Sequence, residues 1–230
     1  MNKPNEERFE KHIEQTLVKY GYESRLYTEY DKNQCQLQEE LIGFVKSTQK
    51  DEYEKLYKQF DTSTDKQLCK VVNDQISKRG IIDVLRKGVN TRGCSFDLVY
   101  FQPKSGLNPE HQEKYEKNRF VSVRQLHYSN KNENSIDMVL FLNGIPIITM
   151  ELKNQLTGQN IKNSENQYRY DRNPLGEPLL QFKRCLVHFC VDNDRVSMTT
   201  RLDGKKTRFL PYNKGIENPS VKDDFRSEYL

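Results

Sequence analysis

The stretch SIDMVLFLNGIPIITMELKN, residues 135–154, decides the reading of this chain. Two runs rich in Ile, Val, Leu, Phe and Met flank Asn143-Gly144, a dipeptide that favours the positive φ angles of a tight hairpin turn. The first run opens with an acid, Asp137, and the second ends in Glu151-Leu152-Lys153. A hairpin returns Glu151 close to Asp137. A two-residue turn opposes Asp137 to Met150 and sends Glu151 to the other face. A three-residue loop with Gly144 as a left-handed bulge opposes Asp137 to Thr149, so that Asp137 and Glu151 become diagonal neighbours with Lys153 beside them. Pro146 cannot donate to a ladder, which also favours irregular pairing here. The expectation is the odd-length loop.

Two carboxylates and an ammonium on one face suit a hard divalent cation with water in its shell, Mg²⁺ or Mn²⁺. Such an ion lowers the pKa of bound water and neutralises charge on a phosphoryl oxygen, and a lysine beside it stabilises the transition state. Metal-assisted phosphodiester hydrolysis is the implied chemistry. Taken singly, each of these charges reads as an ordinary solvated strand end; the combination is what points to a site.

Outward from the hairpin, the N-terminal part has helical spacing. Phe9, Ile13, Leu17 and Tyr20 form one stripe that stops at Gly21. Two amphipathic pieces follow over residues 37–60, and a third pattern over 65–87 is interrupted at Gly80. Period-two runs are expected at Phe96–Phe101, Phe120–His127, Ile136–Leu142, Ile145–Leu152, Leu186–Asp192, Val196–Arg201 and Thr207–Leu210, with a helix over Gln159–Arg172 ended by Asn173-Pro174. This order predicts an α/β fold, a mixed sheet flanked by helices. A single domain is expected over 1–210, helix-rich over 1–90 with the sheet core over 95–210, and a polar tail over 211–230.

Composition sets outer limits. The 230 residues carry 37 Lys and Arg against 33 Asp and Glu, and only 34% are apolar. Mean hydropathy is −0.93, and no apolar run approaches the roughly 18 residues of a membrane span. The N-terminus is polar, so neither membrane embedding nor secretion is expected, and a cytoplasmic location is the default. The five cysteines contain no CxxC pair and the four histidines are scattered, which argues against zinc or a disulfide scaffold. The slight basic excess permits a nucleic-acid partner without requiring one.

Asp137 followed by Glu151-Leu152-Lys153 resembles the active site of the PD-(D/E)xK nucleases, with Ile136 where the naming proline stands. The surrounding stretch is similar to the N-terminal nuclease domain of the restriction subunit of type I restriction enzymes. FEKHI at 9–13 followed by Gly21-Tyr22, FKRCLVHFCVD at 182–192 and MTTRLDGKKTRFLPYNKG at 198–215 extend the likeness over nearly the whole chain. The resemblance implies a restriction-endonuclease-like core. It implies that Asp137, Glu151 and the Leu152 carbonyl hold Mg²⁺ or Mn²⁺, that Lys153 serves the attacking water, and that Glu10 lies near the metal. It further implies a catalytic Gln167, the first position of a Gln-x-x-x-Tyr pattern whose last position here is Asp171, with Tyr168 and Tyr170 nearby.

The partners implied are double-stranded DNA and the methylation and specificity subunits. ATP would act only through a motor domain that this chain does not contain, the tail being the start of its linker. Of the basic residues, Arg124, Lys162, Arg169 and Arg172 are candidates for DNA phosphates, with Lys183, Arg184, Lys205, Lys206 and Arg208 clustered further on; a solvated face is the plain alternative. Arg124, Gln125 and His127 sit on the strand before Asp137 and could face its cleft. A non-catalytic docking or DNA-holding module and a stand-alone defence or repair nuclease stay open as other readings.

Overall fold

The computed structural model describes residues 3–105, 108–155 and 158–213. Seven helices and eleven strands are described: α1 (Lys3–Lys19), β1 (Glu23–Arg25), β2 (Tyr30–Asp31), β3 (Gln36–Leu37), α2 (Gln38–Thr48), α3 (Lys50–Phe60), α4 (Thr64–Arg79), α5 (Ile81–Lys87), β4 (Val89–Thr91), β5 (Cys94–Phe96), α6 (Pro109–Glu116), β6 (Phe120–His127), β7 (Ser135–Leu142), β8 (Ile145–Leu152), α7 (Ile161–Asn166), β9 (Val187–Val191), β10 (Val196–Thr199) and β11 (Leu210–Pro211).

Seven strands form one mixed sheet in the order β1-β6-β7-β8-β9-β10-β11, which makes β8 central. The β6-β7-β8 and β9-β10-β11 ladders are antiparallel, whereas β1 joins β6 and β9 joins β8 in parallel. A parallel neighbour cannot be reached by a tight turn, so the chain between β8 and β9 must cross the sheet. It does so through α7 and the segment up to Leu186, which covers one face with Ile161, Tyr168, Leu179, Leu180 and Cys185. The other face packs on the N-terminal helices through Leu41, Phe44, Leu56, Leu68, Val72 and Ile76, with Phe9, Ile13 and Leu17 of α1 along its margin. The architecture is a mixed α/β fold consistent with a restriction-endonuclease-like core.

The hairpin register differs from the odd-length loop expected. Leu142 faces Ile145 and Phe141 faces Pro146, so the turn has two residues; the ladder then shifts, with Leu140 facing Ile148 and Met138 facing Met150. The extra residue, Ile147, lies in β8 directly after Pro146. The tight turn is held from outside. Asn143 and Gly144 both have positive φ, 49° and 79°, and the Asn143 amide donates to the Leu98 carbonyl and to Asn118 Oδ1. The Gly144 carbonyl accepts from the Leu37 N–H at 2.9 Å, and a Cβ there would stand 2.4 Å from the Leu37 carbonyl oxygen. With the turn fixed, the irregularity falls beside the proline that lacks an N–H.

Two other expected strands are shorter. Beyond Phe96, Asp97 is paired by both ends of the Gln49 side chain and Tyr100 by Asn118, so side chains replace the ladder over 97–101. Over 207–210 a turn forms instead, Thr207 N–H bonding the Gly204 carbonyl, and only Leu210–Pro211 pairs with β10. The helix expected over 159–172 divides into α7 and a π-turn, Gln167–Asp171. Of the polar tail, residues 214–230 lie outside the described residues. Among the described residues no helix is long and apolar enough to cross a membrane.

Candidate metal centre

The bulge at Ile147 has a chemical consequence. Continued by one step, the observed register sets Asp137 directly across from Glu151, on one face of the sheet, where the shorter register would have parted them. The paired ladder stops at Met138 and Met150, and the next N–H facing β7, that of Leu152, is donated to Asp137 Oδ2 at 2.8 Å. Lys153 N–H turns the other way, to the Val191 carbonyl of β9. Because N–H and C=O of one strand residue share an edge, the Leu152 carbonyl also lies on the Asp137 side. The Lys153 ammonium stands 3.8 Å from Asp137 Oδ2, and both side chains are nearly buried.

Glu151 is fully buried. Its Oε1 accepts from Arg172 Nε at 2.7 Å, while Oε2 is buried without a hydrogen-bond partner. Burial and the facing Asp137 push its carboxyl well up, against the pull of Arg172. Arg172 Nη2 also donates to the Ser135 carbonyl at 2.7 Å. Ser135 Oγ in turn donates to Gln125 Oε1 at 3.0 Å, and the Gln125 amide donates to Glu10 Oε1 at 2.8 Å and to Asp137 Oδ1 at 3.3 Å. Gln125 has φ +47° within β6, a conformation disfavoured for a residue with a side chain. Glu10 reaches the site from α1; burial and then Asp137 raise its carboxyl to about 7.

The donor set is one of hard oxygens: two facing carboxylates, one with an unpartnered buried oxygen, and a backbone carbonyl on the same edge. That chemistry fits Mg²⁺ or Mn²⁺, and an ion there would relieve the repulsion that lifts Glu151. Glu10, bonded to the same Gln125 amide as Asp137 and 3.9 Å from Arg124, stands beside this set; among the described residues no group of three His, Cys, Asp or Glu is arranged to hold a metal.

The other sequence candidates divide. Gln167 heads the π-turn, its carbonyl accepting the Arg172 N–H at 3.1 Å, and its side-chain Oε1 is buried without a partner. Tyr168 is buried and bonds Thr149 Oγ1 through its hydroxyl, whereas Tyr170 is exposed. Arg124 is paired with Glu14 at 2.8 Å. His127 packs against Tyr27 with the rings tilted at 44°, and its Nδ1 lies 3.3 Å from Glu133 Oε2. Arg169 bridges Glu165 and covers Phe209. Lys162 is exposed and lines a surface cavity of about 490 Å³ with Asn160, Asp192 and Arg195, past the ends of β8 and β9. Arg172, expected on a phosphate track, is instead buried against Glu151, and Arg184 is buried under Asn73 and the carbonyls of Gln34 and Cys35. A guanidinium enclosed in this way has no phosphate to meet. What the spacing missed is the inward turn of Arg172: in an α-helix it lies five positions past Gln167 and off its face, and only the wider π-turn brings it round.

No curated protein sequence matches this one. The family model described as the type I restriction enzyme R protein N terminus matches residues 3–207, most of the chain, and the chain belongs to that family.

Proposed function

We propose that this chain is the metal-dependent DNA endonuclease domain of a type I restriction enzyme R subunit, acting in the cytoplasm with the methylation and specificity subunits and with ATP used only by a separate motor domain. The observation that carries this reading is the facing of Asp137 and Glu151 at the end of the central hairpin, with Glu151 Oε2 unpartnered and Lys153 alongside. Asp137, Glu151 and the Leu152 carbonyl would hold Mg²⁺ or Mn²⁺. When bound, the ion supplies Lewis acidity to water and to the phosphoryl oxygen.

The protein's own groups do the rest. The Leu152 N–H fixes one oxygen of Asp137. Lys153 is placed to orient the attacking water and to offset charge on the pentacoordinate phosphorus. Water adds to phosphorus as the P–O3′ bond breaks, and the leaving oxygen takes a proton, giving 5′-phosphate and 3′-hydroxyl ends. Lys162 and Arg195, lining the cavity past the strand ends, offer charge for a backbone phosphate. Base-reading and translocation belong to other domains and subunits.

The test is calorimetric titration of Mn²⁺ into the wild type and Asp137→Ala, with supercoiled-plasmid nicking alongside. Binding abolished by the substitution supports the site. Equal binding in both proteins, or nicking retained by purified Asp137→Ala or Lys153→Ala, refutes it.

A further inference from the structure

We infer that Arg172 is a positioning residue for this centre: it commits Glu151 Oε1 to one hydrogen bond so that Oε2 alone is presented to the cation. The inference rests on reading Asp137 and Glu151 as metal ligands.

Three observations carry it. Both side chains are buried, so the pair is not a solvated surface contact whose geometry fluctuates. The guanidinium is held at two points on its fork, Nε on Glu151 at 2.7 Å and Nη2 on the Ser135 carbonyl at 2.7 Å. It therefore ties β8 to the first residue of β7, the two strands whose acids form the centre. Finally, the two oxygens of Glu151 are unequal, one bonded and one buried with no partner. A carboxylate free to rotate would share them.

Arg172 is delivered by the π-turn, whose closing hydrogen bond runs from its own N–H to the Gln167 carbonyl. Insertion of an extra residue in a helical turn is costly and is often found where a side chain must be re-aimed. Here the re-aimed side chain is the arginine. Gln167 thus contributes through its backbone to the placement of Arg172.

Electrostatics gives the test a sign. A cationic side chain beside a divalent site repels the ion, so deleting a bystander arginine should tighten binding. Deleting a positioning arginine should weaken it, because the ligand carboxylate is released. Outer-shell partners of metal ligands typically cost 10–100-fold in affinity when removed, and about that loss is expected here.

Mn²⁺ is titrated calorimetrically into the 230-residue chain as wild type, Arg172→Gln, Arg172→Lys and Glu151→Gln, each below its own melting midpoint measured without metal. Arg172→Gln is expected to bind about 10–100-fold more weakly than wild type. Arg172→Lys, which keeps the charge but loses the fork, should fall between them. Affinity equal to or tighter than wild type in Arg172→Gln overturns the inference, and so does wild-type affinity in Arg172→Lys should the glutamine variant not fold. Glu151→Gln binding as well as wild type, or no binding by wild type, defeats the reading of the centre itself, an outcome separate from any result at position 172.

Discussion

His188 should make the folded state sensitive to mild acid. It lies on β9 with 2% of its surface exposed, its Nδ1 2.7 Å from Thr149 Oγ1 and its ring edge-on to Tyr168. Burial lowers its pKa to about 4. In the unfolded chain a histidine titrates near 6.5, so between those values the unfolded state binds the proton that the folded state refuses. The contribution is fully present above pH 6.5 and is lost as pH falls toward 4. At pH 5 the folded imidazole is still mostly neutral and the unfolded one mostly charged, a loss of about 2 kcal/mol relative to pH 7.5. Urea unfolding followed by far-ultraviolet circular dichroism, at both pH values, for wild type and His188→Asn, isolates this effect. Asparagine preserves a polar contact toward Thr149 and removes the titration, and the carboxylates common to both proteins cancel in the comparison. Wild type should lose about 2 kcal/mol more than the variant on acidification. Equal losses would show that His188 protonates in the folded state, and the account of a sealed Thr149–His188–Tyr168 contact would fail.

Two further outcomes follow from the site and its hairpin. Glu10→Gln should flatten a slope of opposite sign: with its folded pKa near 7 and the unfolded value near 4.5, Glu10 costs stability as pH rises through that window. Between pH 5 and 8 the substitution should therefore gain about 2 kcal/mol relative to wild type in the same unfolding assay, and no relative gain would mean that the carboxyl is charged at no cost. Gly144→Ala should lower stability by about 3 kcal/mol or more, because its φ is +79° and the new Cβ would meet the Leu37 carbonyl oxygen at 2.4 Å; a melting temperature within a degree or two of wild type would contradict the packing of the turn against β3.

How much of this was legible in the sequence depended on the range of the interactions concerned. The hairpin strands and the return of Glu151-Leu152-Lys153 toward Asp137 could be read, because alternation and Asn143-Gly144 are local signals. The loop length could not. Whether the extra residue sits in the turn or after Pro146 is decided by Leu37, Leu98 and Asn118, which grip the turn from distant parts of the chain. β1 was hidden for a related reason: Glu-Ser-Arg has no apolar alternation and becomes a strand only by lying parallel to Val121–Val123. α6 was missed as well: Asn108 accepts from the His111 N–H and Pro109 takes the first turn, but the weakly apolar segment carries no clear helical period. Arg172 was read as an exposed cation available to a DNA phosphate, because nothing in linear spacing distinguishes such a cation from one that a π-turn folds inward.

The same long-range grip explains how so unfavourable a cluster persists. Asp137 repels both Glu10 and Glu151, and left to local preference the strands would splay or slip. A slip of one residue between β7 and β8 would relieve the repulsion by moving Glu151 to the opposite face. It is opposed at the far end of the hairpin, where Asn143 donates to Leu98 and Asn118, accepts from the Arg119 N–H, and Gly144 accepts from Leu37. Those contacts fix the turn, the turn fixes the bulge at Ile147, and the bulge sets which residue of β8 opposes Asp137. β3 and the segments that carry Leu98, Asn118 and Arg119 therefore do more than connect elements: by holding one end of the central hairpin rigid, they compel the acids at its other end to stay together, where a cation is the partner that would lower their energy.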